Sequence, residues 1–257
     1  MVVTDQIGQV FELKTPVRRI VSLVPSQTEF LHALGLEEEV VGLTKFCIHP
    51  EEWWRRKKRV GGTKNANFEK VKALEPDLII GNKEENEKRN IDQLRSIAPV
   101  WISDIHNLED AYAMMLALGE LVGKKGKAAS IVAQIKLGFS NLKPLTIKMN
   151  VLYLIWKNPW MAAGKETFIE SLLNECGFEN AVKESRYPSL QENVFPECDV
   201  ILLSSEPYPF KEKEKLELSF RFPKAKIQLV DGEIFSWYGS RLLESPNYFQ
   251  KLLTSLE

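Results

Sequence analysis

NLEDAYAMMLALGELVGKKGKAASIVAQIKLGFSNLK, Asn107 to Lys143, is the stretch whose reading decides the fold. Asn107 and Asp110 suit a helix N-terminus, where a short polar side chain and a negative charge meet unpaired N–H groups. Leu108, Ala111, Met115, Leu118 and Val122 then recur at steps of three and four. Ala129, Val132, Ile135, Phe139 and Leu142 continue that rhythm, which marks an apolar stripe on a helix, and Pro144 ends it. Unbroken, the helix would run about 55 Å at roughly 1.5 Å per residue. Its weak point is Gly123-Lys124-Lys125-Gly126, where two glycines cost about 1 kcal/mol each. A break there gives two ordinary antiparallel helices instead. The expectation is one long connecting helix.

On either side of it the chain alternates short apolar runs with helical patterns. Before it, RIVSLV (Arg19 to Val24), EVVGLT (Glu39 to Thr44), DLIIG (Asp77 to Gly81) and PVWIS (Pro99 to Ser103) read as strands. Helices are expected over Ser26 to Gly35, Phe68 to Pro76 and Glu84 to Ile97. Ser26 followed by Glu29 has the spacing of a capping box, and Gly35 is a natural stop. After Pro144 come NVLYLIW (Asn150 to Trp156), DVILLSS (Asp199 to Ser205) and KIQLVDG (Lys226 to Gly232). Helices are expected there over Lys165 to Gly177 and Gly239 to Leu253. Strands that alternate with helices pair in parallel and are covered on both faces. The expected fold class is α/β: two lobes, each with a mostly parallel sheet flanked by helices, joined by the long helix. The expected boundaries are 1–106, 107–143 and 144–257.

Composition narrows the function classes. The chain of 257 residues is 44% hydrophobic and 27% charged with a formal net charge of −1, which points away from nucleic acid and membrane surfaces. It has no apolar run of about eighteen residues and shows no secretory leader, which leaves a cytoplasmic location open. Cys47, Cys176 and Cys198 are an odd, widely spaced set that makes no disulfide framework. H-E-x-x-H, G-x-S-x-G, P-loop and G-x-G-x-x-G motifs are all missing, so the sequence does not read as an enzyme.

Ligands of open α/β sheets bind beyond the carboxyl ends of the strands. The loops that follow the strands here carry Phe46, Trp156, Trp160, Tyr208, Phe235, Trp237 and Tyr238. Trp156 and Phe235 serve equally well as caps on their cores. Trp160, Trp237 and Tyr238, set in loops, are expected to meet a large, flat or greasy ligand. The N-terminus of the Ser26 helix faces the same side and suits an anionic ligand group. Cys47 and His49 share one loop and are a candidate metal-ligating or nucleophile pair, possible working ligands of an intracellular metal-cofactor protein or enzyme.

Four segments in order carry a resemblance: RRIVSLVPSQTEFLHALG, VGGTKNANFEKVKALEPDLII, AGKETFIESLLNECGFENAV and SRYPSLQEN. They resemble the periplasmic cobalamin-binding proteins and their iron–siderophore and haem-binding relatives, the helical-backbone (class III) substrate-binding proteins of ABC importers. The resemblance covers about Arg18 to Leu253. It implies two α/β lobes, a stiff helical connector and a ligand held between the lobes: cobalamin, a ferric siderophore or haem, with no resident cofactor. It also implies a periplasmic or membrane-anchored extracytoplasmic monomer that docks on an ABC permease dimer through one acidic residue per lobe, Glu69 and Glu192. The pocket departs from the cobalamin pattern, because the positions of two ligand-stacking tryptophans hold Thr63 and Asn82. Glu233 and Trp237 match an acidic and a basic position of the last loop. The ligand set expected from residues and resemblance together is Phe46, Cys47, His49, Thr63, Asn82, Trp160, Tyr208, Glu233, Trp237 and Tyr238.

Overall fold

The computed structural model describes residues 1–191 and 194–256, which divide into two compact units. Unit 1 comprises Met1–Ile105, Glu109–Gln134 and Tyr238–Arg241; unit 2 comprises His106–Leu108, Ile135–Trp237 and Leu242–Glu257.

Unit 1 opens with a hairpin, β1 (Val2–Thr4) and β2 (Val10–Glu12), followed by β3 (Ile20–Ser22), α1 (Pro25–Ala33), β4 (Val40–Leu43), α2 (Glu51–Arg56) and β5 (Lys58–Arg59). It continues with α3 (Phe68–Lys72), β6 (Leu78–Asn82), α4 (Lys88–Leu94), β7 (Val100–Ser103) and α5 (Leu108–Leu121), whose first residue falls in unit 2. The sheet order is β5-β4-β3-β6-β7 with every pair parallel, as the continuous apolar runs predict. Chain order reverses between β3 and β6, which makes the loops after those two strands the topological switch point. The hairpin turn closes the outer edge of β7. Asp5 is buried and accepts N–H bonds from Ile7, Gln9 and Ile102, while Gln6 N–H bonds the Ile102 carbonyl. An exposed strand edge is thereby covered.

The capping box expected at Ser26 is not formed. Pro25 already has the fixed φ that suits the first helical position, so α1 starts one residue earlier and Val24 is its cap without a side-chain bond. Glu29 is released for another partner. Gly35 stops the helix as expected, at φ +81° with its N–H on the His32 carbonyl and that of Leu36 on the Leu31 carbonyl.

The connecting segment is helical on both sides of the glycine cluster but is not one helix. α5 ends at Leu121, and α6 (Lys125–Ser140) begins in unit 1 and ends in unit 2. Gly123 sits at φ +69°; its N–H bonds the Glu120 carbonyl and the Lys124 N–H bonds the Gly119 carbonyl. This paired closure ends a helix and turns the chain. Gly119 permits the turn sterically, because a side chain there would overlap the Ala128 methyl.

Unit 2 contains β8 (Met149–Trp156), β9 (Met161–Ala162), α7 (Phe168–Glu175), β10 (Phe178–Asn180), β11 (Val200–Ser204), α8 (Glu212–Arg221), β12 (Lys226–Val230), α9 (Gly232–Ser236) and α10 (Ser245–Leu256). The order β10-β8-β11-β12 is parallel, and β9 folds back antiparallel on β8. Leu152, Leu154, Ile201 and Leu203 from the central strands make its core with Trp160, Val182, Phe210 and Leu218. The closing helix begins later than expected: Ser240–Leu243 form a 3-10 turn before α10.

Candidate functional site

In unit 1 the loop after β4 puts Phe46 in solvent at 50% exposure, with Lys45 Nζ 4.9 Å from its ring centre. Gly62 lies close by: a Cβ on it would meet Phe46 Cε2 at 3.4 Å, so the ring packs over the glycine turn that leads to Thr63. Cys47, the next residue, points the other way. It is fully buried, with Sγ 3.1 Å from Thr28 Oγ1 and 3.2 Å from Thr44 Oγ1, and burial pushes its thiol up to about 11. A buried, protonated thiol held by two hydroxyls is not a metal ligand or nucleophile. His49 is half-buried. Among the described residues there is no group of three or more His, Cys, Asp or Glu side chains that could hold a metal ion.

Asn82, at the carboxyl end of β6, is buried and its amide is fully used. Its Nδ2 donates to Ser103 Oγ at 3.0 Å and to the Ser103 carbonyl at 3.2 Å. Its Oδ1 accepts from the N–H groups of Glu84 and Glu85 at 2.8 and 3.0 Å, so it shapes the loop. Thr63, half-buried, offers its carbonyl to Asn86 Nδ2. Tyr238 returns from the far end of the sequence and is buried in unit 1, its hydroxyl donating to Glu85 Oε1 at 2.9 Å. Burial, reinforced by the Glu85 charge, holds that phenol well above its usual range. Glu69 stands exposed in the first turn of α3, whose cap Asn67 accepts the Lys70 N–H at 2.9 Å. Glu192 lies outside the described residues.

In unit 2 the aromatic residues sort by what backs them. Trp160 is 7% exposed and stacks on Phe210 at 5.9 Å and 4°, with Phe195 edge-on at 5.8 Å. The β8–β9 turn carries it back into the core, so it caps the core where the sequence reading placed it in the ligand loop. Trp156 does the reverse. It is the last residue of β8, 39% exposed, and meets the half-buried Tyr208 edge-on at 5.8 Å, with Phe210 behind Tyr208 at 4.7 Å. Sequence reasoning left Trp156 undecided because an aromatic at a strand end serves either role. Phe235 is buried between Tyr153 and Phe249.

Trp237 is buried too, and its Nε1 donates to Glu206 Oε1 at 3.1 Å, where Ser236 Oγ also donates at 2.8 Å. Burial raises the Glu206 carboxyl above its ordinary range, and the nearby Glu233 and Asp231 charges add to the rise against those two hydrogen bonds. Glu206, Asp231 and Glu233 with Ser205 and Phe210 line a cavity of about 520 Å³ at the carboxyl ends of β11 and β12. The sequence reading picked Tyr208 from this loop and passed over Glu206. A carboxylate placed directly after the apolar DVILLSS run was the signal that pointed to it.

The same chain can now be set beside known proteins. It is 29% identical over 194 residues to the uncharacterized ABC transporter substrate-binding lipoprotein YvrC of Bacillus subtilis, covering 71% of this chain and 61% of that protein. It is 23% identical over 251 residues to the vitamin B12-binding protein of Pectobacterium carotovorum, covering 93% and 89%. The fold matches the petrobactin-binding protein YclQ of Bacillus subtilis with a TM-score of 0.81 at 17% identity, covering 100% of this chain and 98% of that one. It also matches the periplasmic vitamin B12-binding protein BtuF of Vibrio cholerae with a TM-score of 0.75 at 21% identity, covering 94% and 98%. No helix among the described residues is long and apolar enough to cross a membrane. The family model described as periplasmic binding protein matches residues 20–197, and the chain belongs to that family.

Proposed function

We propose that this protein is the substrate-binding component of an ABC importer and works outside the cytoplasm without covalent chemistry. Its ligand is a bulky metal chelate, with a corrinoid first in line and ferric siderophores and haem as the other members of the class. Two solvent-open aromatic rings carry this reading, Phe46 in the loop after β4 and Trp156 at the end of β8, in a fold shared with binding proteins. Aromatic faces left in water are favoured when a ligand covers them. Tyr208 meets Trp156 edge-on, and Glu233, Trp237 and Tyr238 are the ligand residues this reading takes from the last loop. Docking to the permease falls to Glu69 and Glu192, whose carboxylates would meet arginines and set register and association rate more than affinity.

The test is titration of the purified protein with cyanocobalamin, haemin and a ferric siderophore, followed by tryptophan quenching. Saturable quenching by one of them is expected. Flat titrations with all three would sink the reading.

A further inference from the structure

The chemistry of the cavity in unit 2 deepens that reading and rests on it. The cavity is not a greasy slot. It is walled by Ser205, Glu206, Asp231 and Glu233 beside Phe210 and the ends of β11 and β12, and no lysine or arginine is among its described lining residues. Glu206 is the decisive group. Ser236 Oγ and Trp237 Nε1 both donate to its Oε1, which fixes the carboxylate and leaves Oε2 without a hydrogen-bond donor among the described residues. That oxygen of the half-buried Glu206 is open to solvent, so a ligand group that supplies an N–H can take the place of water on it. A ligand carboxylate at the same place would face Glu206, Asp231 and Glu233, and like charges repel.

We infer that Glu206 sets the ligand class: the cavity takes the edge of a chelate that carries amide N–H or ammonium groups and rejects an edge that carries carboxylates. Trp237 and Ser236 act as positioning residues that aim the free oxygen.

The test uses a matched pair, dicyanocobinamide and dicyanocobyrinic acid, which share one macrocycle and differ in bearing amide or carboxylate side chains. Haemin and ferric citrate, both fringed by carboxylates, complete the panel. The wild-type protein is expected to bind the amide corrinoid the more tightly. Glu206→Gln should narrow that preference by about tenfold or more, the worth of a hydrogen bond to a charged group. Glu233→Gln serves as a second variant should the first fold poorly, and it should shift the ratio the same way. An unchanged ratio in both variants, or a wild-type preference for the carboxylate corrinoid, overturns the inference. Binding of haemin or ferric citrate but neither corrinoid overturns it too, while the importer reading stands. Binding of nothing in the panel sinks both.

Discussion

Arg241 holds Glu29 with a two-pronged grip, Nη2 on Oε1 at 2.6 Å and Nε on Oε2 at 3.2 Å, although the two residues lie at opposite ends of the sequence. Both side chains are mostly buried, at 13% and 20% exposure. Removing one partner from such a pair leaves an uncompensated charge, which costs about 3–5 kcal/mol. Arg241→Ala should therefore lower the urea midpoint strongly, and Arg241→Lys should recover only part of the loss because an ammonium lacks the planar fork. A midpoint shift in Arg241→Ala worth less than about 1 kcal/mol would show that water replaces the arginine without penalty.

Trp156 and Trp160 should separate in experiment. Trp160→Ala empties a stacked core position and should cost about 3–5 kcal/mol of stability. Trp156→Ala should leave the melting temperature nearly unchanged and weaken chelate binding by about 1–3 kcal/mol. Thermal melts and quenching titrations on the two variants decide it, and the opposite assignment of losses would refute the placement of both rings.

Glu206 gives stability a pH dependence of known sign. Its carboxyl is raised in the folded protein, so the folded state holds the proton more tightly than the unfolded chain. The resulting stabilisation is complete below the unfolded value of about 4.3 and is lost as pH rises through the higher folded value. Glu206→Gln removes that loss. Its stability relative to wild type should be greatest at neutral pH and should converge below about pH 4. Chemical denaturation at several pH values checks this, and a difference that does not vary with pH would argue against a raised carboxyl.

Cys47 should resist alkylation. With its thiol pushed up to about 11 and no exposed surface, it should stay unlabelled by iodoacetamide at pH 8 until the protein unfolds. Peptide mapping after partial labelling reads this directly. Rapid labelling of the native protein would return the thiol to the list of working groups.

Gly123→Ala should cost about 1 kcal/mol through backbone strain alone, since nothing lies within 4 Å of the added methyl at φ +69°. In a chain of this size that is a melting shift of roughly 2–4 °C. Gly119→Ala adds a clash with Ala128 and should cost more, about 1–3 kcal/mol. Equal effects of the two changes would mean that the helices separate freely at this corner.

What the sequence made legible was the local alternation. Continuous apolar runs such as DLIIG and DVILLSS became buried parallel strands close to their expected bounds, because two-sided burial leaves no polar face to confuse the period. Sheet order and direction of facing were not legible. Trp160 sits in a loop by sequence, and only the β8–β9 return turns it inward against Phe210. Cys47 and Phe46 are neighbours in one loop that point to core and solvent respectively, a division that spacing does not encode. The capping box failed for a readable reason, since Pro25 was already placed to start the helix. The break at Gly123 was visible as a weakness, but its closure depends on the Gly119–Ala128 approach, which is tertiary.

The return of Tyr238 to Arg241 into unit 1 has a consequence for how the protein is made. Most of that unit leaves the ribosome by residue 134, yet Tyr238 and Arg241, which bind Glu85 and Glu29, lie more than a hundred residues further along. At about 5–20 residues per second, the first unit spends roughly 5–20 s as an assembled but unfastened nascent fold. Its last fastener is thus a clock as well as a bond: the half that folds first is finished only once Arg241 has been made.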